Sequence, residues 1–141
     1  MLVGYNTRVP ALGSGPKMPT ILVIDDDQGV TETFAWMLRL EGYQVRTAVN
    51  AEAGLREAKA ARPDAIILDL RMPLVDGMAF LRRLRADVKQ SDIPVAVVTG
   101  DYLLDDEVSV ELRGLGAALH FKPLWIEDLV GLTRTLLGVT H

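Results

Sequence analysis

Three aspartates, Asp25, Asp26 and Asp27, stand together directly after the apolar run 21–24. A fourth, Asp69, closes the apolar run 65–68. Thr99 and Gly100 close the run 93–98, and Lys122 and Pro123 follow the short segment 118–121. Carboxylates held close together repel one another and raise each other's pKa values. A divalent cation relieves that repulsion, and hard oxygen ligands with several waters retained suit Mg2+. The chain has two histidines and no cysteine, which disfavours zinc and copper sites and excludes disulfides and thiolate nucleophiles. A Mg2+ ion beside a carboxylate, an ammonium and a hydroxyl makes a phosphoryl-binding site. The metal and ammonium neutralise phosphoryl oxygens while the hydroxyl donates a hydrogen bond. A carboxylate in that setting can itself attack phosphorus and form an aspartyl phosphate.

These residues meet only if the intervening elements fold so as to bring them together. Apolar runs at 21–24, 65–68 and 93–98, with shorter strand patterns at 43–49 and 118–121, alternate with helical patterns. Helix 28–40 carries Val30, Phe34 and Met37 on one line with Thr33, Trp36 and Leu40 beside it, Asp27 as a cap or solvated residue before it, and Gly42 as its stop. Asn50 suits the N-cap of helix 51–61, which Pro63 closes. Asp76 is expected to cap helix 77–85, whose apolar stripe is Phe80, Leu81 and Leu84. Helices 105–115 and 125–137 follow, the last closed by Gly138. Strands this apolar are buried on both faces, which means a parallel sheet covered by helices on both sides. The expected fold is therefore an α/β doubly wound, flavodoxin-like (βα)5 three-layer sandwich with strand order 2-1-3-4-5. Such sheets bind ligands beyond the carboxyl ends of their strands, where all the polar residues above fall.

A chain of 141 residues, 49% hydrophobic and 24% charged, is the size and composition of one globular domain. Its formal net charge of −4 makes it a poor non-specific binder of nucleic acid. No apolar run approaches the roughly 20 residues of a membrane helix. The N-terminus lacks a basic start followed by a long apolar stretch, so a secretory signal is not indicated and a cytoplasmic location is expected. Residues 1–18, with Gly4, Gly13, Gly15, Pro10 and Pro16, read as a loose extension, and Met18 is a plausible alternative start. The domain itself is expected over residues 19–141.

The segments ILVIDDD, IILDLRMPLVDG, VAVVTG and FKP resemble those of response-regulator receiver domains of two-component signalling. The likeness runs over about residues 19–139, and the separations of Asp26, Asp69, Thr99 and Lys122 are close to the family's usual spacing. The resemblance implies Asp69 as the phospho-accepting aspartate, Asp26 as a direct Mg2+ ligand and Asp25 as a ligand through water. The main-chain carbonyl of Arg71 would be a further ligand, with Mn2+ as a substitute metal. Thr99 matches the switch hydroxyl and Lys122 the lysine that pairs with the phosphoryl group. Pro123 matches a proline whose preceding bond is typically cis, and Gly77 opens the third helix. The implied donor is a sensor histidine kinase or histidine phosphotransfer protein. The implied output is a partner or a homodimer on the face built from the fourth helix, fifth strand and fifth helix. Neither nucleic acid nor membrane is expected as a direct partner, and no turnover of an external substrate.

Some positions depart from the family pattern or stand outside it. The family commonly has an aromatic residue three positions before the lysine, whereas Leu119 stands there. His120 and Phe121 adjoin it but are expected to point differently, with His120 at a surface or edge. Arg71 and Asp101 could pair across the mouth of the site and gate water. Arg82, Arg83 and Arg85 read as a solvated basic helix face, and Trp36 as a core or partner-face residue. Trp125 and His141 receive no role. A Mg2+-dependent aspartyl phosphohydrolase is a competing reading, but Arg71 occupies the place where such enzymes generally want a second acid. A flavodoxin would need hydroxyls and glycines where the three aspartates stand. A phospho-independent adaptor is the remaining alternative.

Overall fold

The computed structural model describes residues 18–69, 74–100 and 105–138. Ten elements alternate along the described residues: β1 (Thr20–Ile24), α1 (Gln28–Leu40), β2 (Gln44–Ala48), α2 (Ala51–Ala60), β3 (Ala65–Asp69), α3 (Leu74–Ala86), β4 (Val95–Thr99), α4 (Asp106–Gly114), β5 (Ala117–Phe121) and α5 (Ile126–Leu136). The five strands are parallel in the order β2-β1-β3-β4-β5, so the chain reverses its winding direction between β1 and β3. The expected order 2-1-3-4-5 is the observed one.

Side chains alternate across each strand, and that alternation divides the core into two layers. Leu22, Ile24, Ile66, Leu68, Val95 and Val97 face α2, α3 and α4, where they meet Ala58, Phe80, Leu81, Leu84 and Leu112. Ile21, Val23, Ile67, Ala96 and Val98 face α1 and α5, where they meet Phe34, Leu38, Leu129 and Leu132. Both layers are apolar, so β1, β3 and β4 contain almost no outward polar position. Apart from Thr20 at the start of β1, the polar residues of these strands are the last of β3 and the last of β4, and there the strands reach the rim.

Local chemistry fixes the ends. Asp27 caps α1 by accepting from Val30 N (3.2 Å), and Asn50 caps α2 by accepting from Ala53 N (2.7 Å). Gly42 turns the chain out of α1 with φ of 95°, a conformation that a residue with a Cβ adopts only under strain. β4 begins at Val95 rather than 93 because Pro94 has no N–H to give the ladder; its carbonyl still accepts from Ile66 N (2.9 Å). Two expectations are corrected. The third helix starts at Leu74, not Gly77, so Asp76 lies within its first turn and does not cap it. Pro73 precedes Leu74 in the sequence, and proline favours helix starts. On α1 the buried line is Thr31, Phe34, Ala35 and Leu38, while Trp36 and Leu40 are exposed. The other helix and strand ends lie within one or two residues of expectation. The expected N-terminal extension, apart from Met18, lies outside the described residues.

Candidate functional site

The parallel sheet ends β1, β3, β4 and β5 on one rim and sets their last residues side by side. Asp25 follows β1 and donates its amide to Ala48 O at the end of β2 (3.1 Å). Asp69 ends β3 beside Val98, and Thr99 ends β4. The amide of Lys122 donates to Thr99 O (2.8 Å), which extends the β4–β5 ladder by one residue and fixes where the lysine leaves the sheet. Its peptide bond to Pro123 is cis, as the resemblance implied.

Asp25, Asp69 and Thr99 are all buried, with exposures of 0%, 0% and 2%. The Nζ of Lys122 lies 2.7 Å from Oδ1 of Asp69. A buried carboxylate is stable only when paired, and this ammonium provides the pairing while remaining partly open to water. Among the described residues Asp25 has no such cation. Its Oδ1 accepts from Asp27 N (3.1 Å), while its buried Oδ2 has no hydrogen-bond partner among the described residues. Burial first of all pushes the Asp25 carboxyl up to about 7. The Asp27 amide opposes the rise, and the charge of Asp69 with the carboxyls of Asp26 and Asp69 adds to it. Asp26 is exposed at the mouth. An open depression lined by Val30, Phe34, Asp69, Lys122, Pro123 and Leu124 leads to the paired lysine and acid.

The donor chemistry fits a hard divalent cation. Asp25 presents an unpartnered buried oxygen beside a second buried carboxylate, and Asp26 adds a third from solvent. Among the described residues no group of three or more carboxylate or imidazole side chains closes to metal-holding distance. A cation here would therefore rest directly on two of these acids, with water and main-chain oxygen completing its shell.

Each candidate residue can now be placed. Asp25, Asp69, Thr99 and Lys122 come to the same rim, and Asp26 stands at its edge. Asp27 serves α1 as its cap. Gly77 is buried inside α3 rather than opening it. Arg71 and Asp101, and with them the gate across the mouth, lie outside the described residues.

Two assignments from sequence change. Leu119 and Phe121 share one face of β5, since strand side chains alternate with period two. Leu119 packs on the α2–α4 layer, and Phe121 is the register partner of Thr99. An aromatic ring is therefore present on the switch side, two residues later than the family pattern places it, and 40% exposed. His120 points to the opposite face, on an edge strand as expected. The basic cluster is also not uniformly solvated. Arg82 pairs with Glu111, and Arg85 is half-buried, donating to three main-chain carbonyls. The spacing of Arg82 and Arg85 by three residues, which puts both on one side of α3, was the signal available in the sequence.

Five parallel strands in this order, with a buried acid pair at their carboxyl rim, define the class of flavodoxin-like, CheY-like α/β proteins. Within that class the chain belongs to the response regulator receiver domain family, whose description matches residues 21–132. It is 37% identical over 126 residues to the transcriptional regulatory protein PrrA of Mycobacterium leprae, covering 89% of this chain and 53% of PrrA. Against the DNA-binding dual master transcriptional regulator RpaA of Synechocystis it is 37% identical over 123 residues, covering 87% of this chain and 51% of RpaA. The chain thus spans about half the length of these relatives. The crystal structure of the chemotaxis response regulator CheY4 of Vibrio cholerae superposes with a TM-score of 0.77 at 28% identity, covering 86% of this chain and 100% of CheY4. Among the described residues no helix is long and apolar enough to cross a membrane.

Proposed function

We propose that this chain accepts a phosphoryl group on Asp69 from a phosphohistidine donor, a sensor histidine kinase or histidine phosphotransfer protein, and that the modification switches its output face. The observation that carries the proposal is the buried Asp69 carboxylate, held 2.7 Å from Lys122 beside an Asp25 oxygen that has no hydrogen-bond partner among the described residues. Asp25, Asp26 and Asp69 would hold Mg2+, with the main-chain carbonyl of Arg71 as a further ligand by resemblance. When bound, the ion neutralises phosphoryl oxygens. A carboxylate oxygen of Asp69 attacks phosphorus, the phosphorus–nitrogen bond breaks, and the imidazole leaves with its electron pair. Lys122 stays beside the new acyl phosphate as its counter-charge.

The added group brings about −1.5 to −2 charge into the rim. The Thr99 hydroxyl donates a hydrogen bond to a phosphoryl oxygen, and its register neighbour Phe121 links that movement to the face of α4, β5 and α5. That face then engages a partner or a second copy. Turnover of an external substrate is not part of the proposal.

The chemical nature of the product provides the test. Labelled acetyl phosphate should transfer its phosphoryl group to the chain only with Mg2+ present, and neutral hydroxylamine should release it, as it does acyl phosphates. A hydroxylamine-stable label, or equal labelling in EDTA, would overturn the reading.

A further inference from the structure

The helix α4 is held in an asymmetric way. Leu112 is its single buried residue. Its C-terminal half is tied to α3 by two arginines. Arg82 places Nε 2.7 Å and Nη2 2.6 Å from Oε2 of Glu111. Arg85 donates from Nε to Leu115 O at the C-cap (2.6 Å). The same guanidinium donates from Nη1 to Ile93 O (2.7 Å) and Ser91 O (3.1 Å), so it is anchored to the segment entering β4. The first turn of α4 is held more lightly: Asp105 caps it by accepting from Glu107 N (3.1 Å), Asp106 and Glu107 are exposed, and the partly buried Val108 is its contact with the core. That turn is the end joined through residues 100–104 to Thr99.

We infer that the Arg82–Glu111 pair is a tether that holds α4 in its resting position and sets how readily the site at Asp69 fills, with Arg85 as the pivot. This rests on the proposed function and adds the regulation of its site. The two tethers are not equivalent. Arg85 is half-buried and bonds three carbonyls, which no small movement can replace. Arg82 and Glu111 are 53% and 41% exposed, and such a pair exchanges its partners for water at little cost. A pull on the first turn therefore swings α4 about its Arg85-held end and breaks the outer pair first. A phosphoryl group bound to the released form has to offset that break. Removing the pair in advance raises the fraction of competent molecules and with it the apparent affinity.

The experiment uses the full chain with Mg2+ and beryllofluoride as the phosphoryl mimic, for the wild type, Arg82→Ala, Glu111→Ala, the double variant and the exchanged pair Arg82→Glu/Glu111→Arg. Each single variant should bind beryllofluoride about two- to fivefold more tightly, the span expected for an exposed ion pair. The double variant should gain no more than either single one, and the exchanged pair should return toward wild type. A general loss of stability would instead weaken binding, so the sign separates a tether from a prop. Amide hydrogen exchange of metal-free protein gives a second readout: residues 106–114 should exchange faster in Arg82→Ala and recover in the exchanged pair. Unchanged or weaker binding in both single variants would overturn the tether while leaving the proposed function standing. Failure of the wild type to bind beryllofluoride would overturn the proposed function, and unchanged exchange in Arg82→Ala would then overturn the tether as well.

Discussion

At the scale of single residues, the site is a balance of charge under burial. Lys122 compensates Asp69, and nothing among the described residues compensates the second oxygen of Asp25. The Asp25 carboxyl is raised from 3.8 to about 7. In metal-free protein the folded state therefore keeps a proton that the unfolded state loses above about pH 4. Asp25's contribution to stability is full below that pH and falls away as pH rises through about 7. A cation must displace the same proton. Calorimetry in buffers of different ionisation enthalpy should find Mg2+ binding releasing close to one proton at about pH 6 and almost none at about pH 9. Equal release at both would contradict this charge balance. Asp25, Asp69, Thr99 and Lys122 were legible in the sequence because each ends an apolar run, and a parallel sheet brings such ends together. The face of Phe121 was harder to read. Its orientation follows from strand period, but its pairing with Thr99 needs the β4–β5 register, which local pattern does not contain.

At the scale of elements, α2 lies close against the sheet at Gly54. A Cβ on Gly54 would lie 2.6 Å from Cδ1 of Ile24 and 3.2 Å from both Cγ1 of Ile24 and Cε1 of Phe80. Both neighbours are fully buried, so neither has room to yield. Alanine in mid-helix would bring about 1 kcal/mol of propensity, but overpacking costs about 1–3 kcal/mol. Gly54→Ala should therefore lower the melting temperature, and a rise would mean that the α2 layer is looser than its packing implies. The beginning of α3 was misread from sequence, and the buried side of α1 was read in part: Phe34 lies in the core with Val30 and Met37 partly buried against it. Asp76 looks like a cap only if the start signal of Pro73 and the helix former Leu74 are overlooked. For Trp36 the sequence left core and partner face open, and the steps of three and four residues through Thr31, Phe34 and Leu38 put it on the outer side of α1.

At the scale of the whole molecule, the two core layers bring Asp25, Asp69 and Thr99 to one buried rim, and on the proposed function one modification there would reach a face built from later elements. The order of strands was legible because alternating short apolar runs and helices allow few right-handed windings. The links across the α3–α4 boundary were not, because Arg82 and Glu111 are distant in sequence and each looks like an ordinary surface charge. The central claim is that Asp69 is the residue that takes the phosphoryl group. Intact mass after acetyl phosphate and Mg2+ tests it most directly, with the wild type beside Asp69→Asn and a thermal melt to confirm that the variant folds. The account predicts one added phosphoryl group on the wild type and none on the variant. An equal gain on a folded Asp69→Asn protein would contradict it.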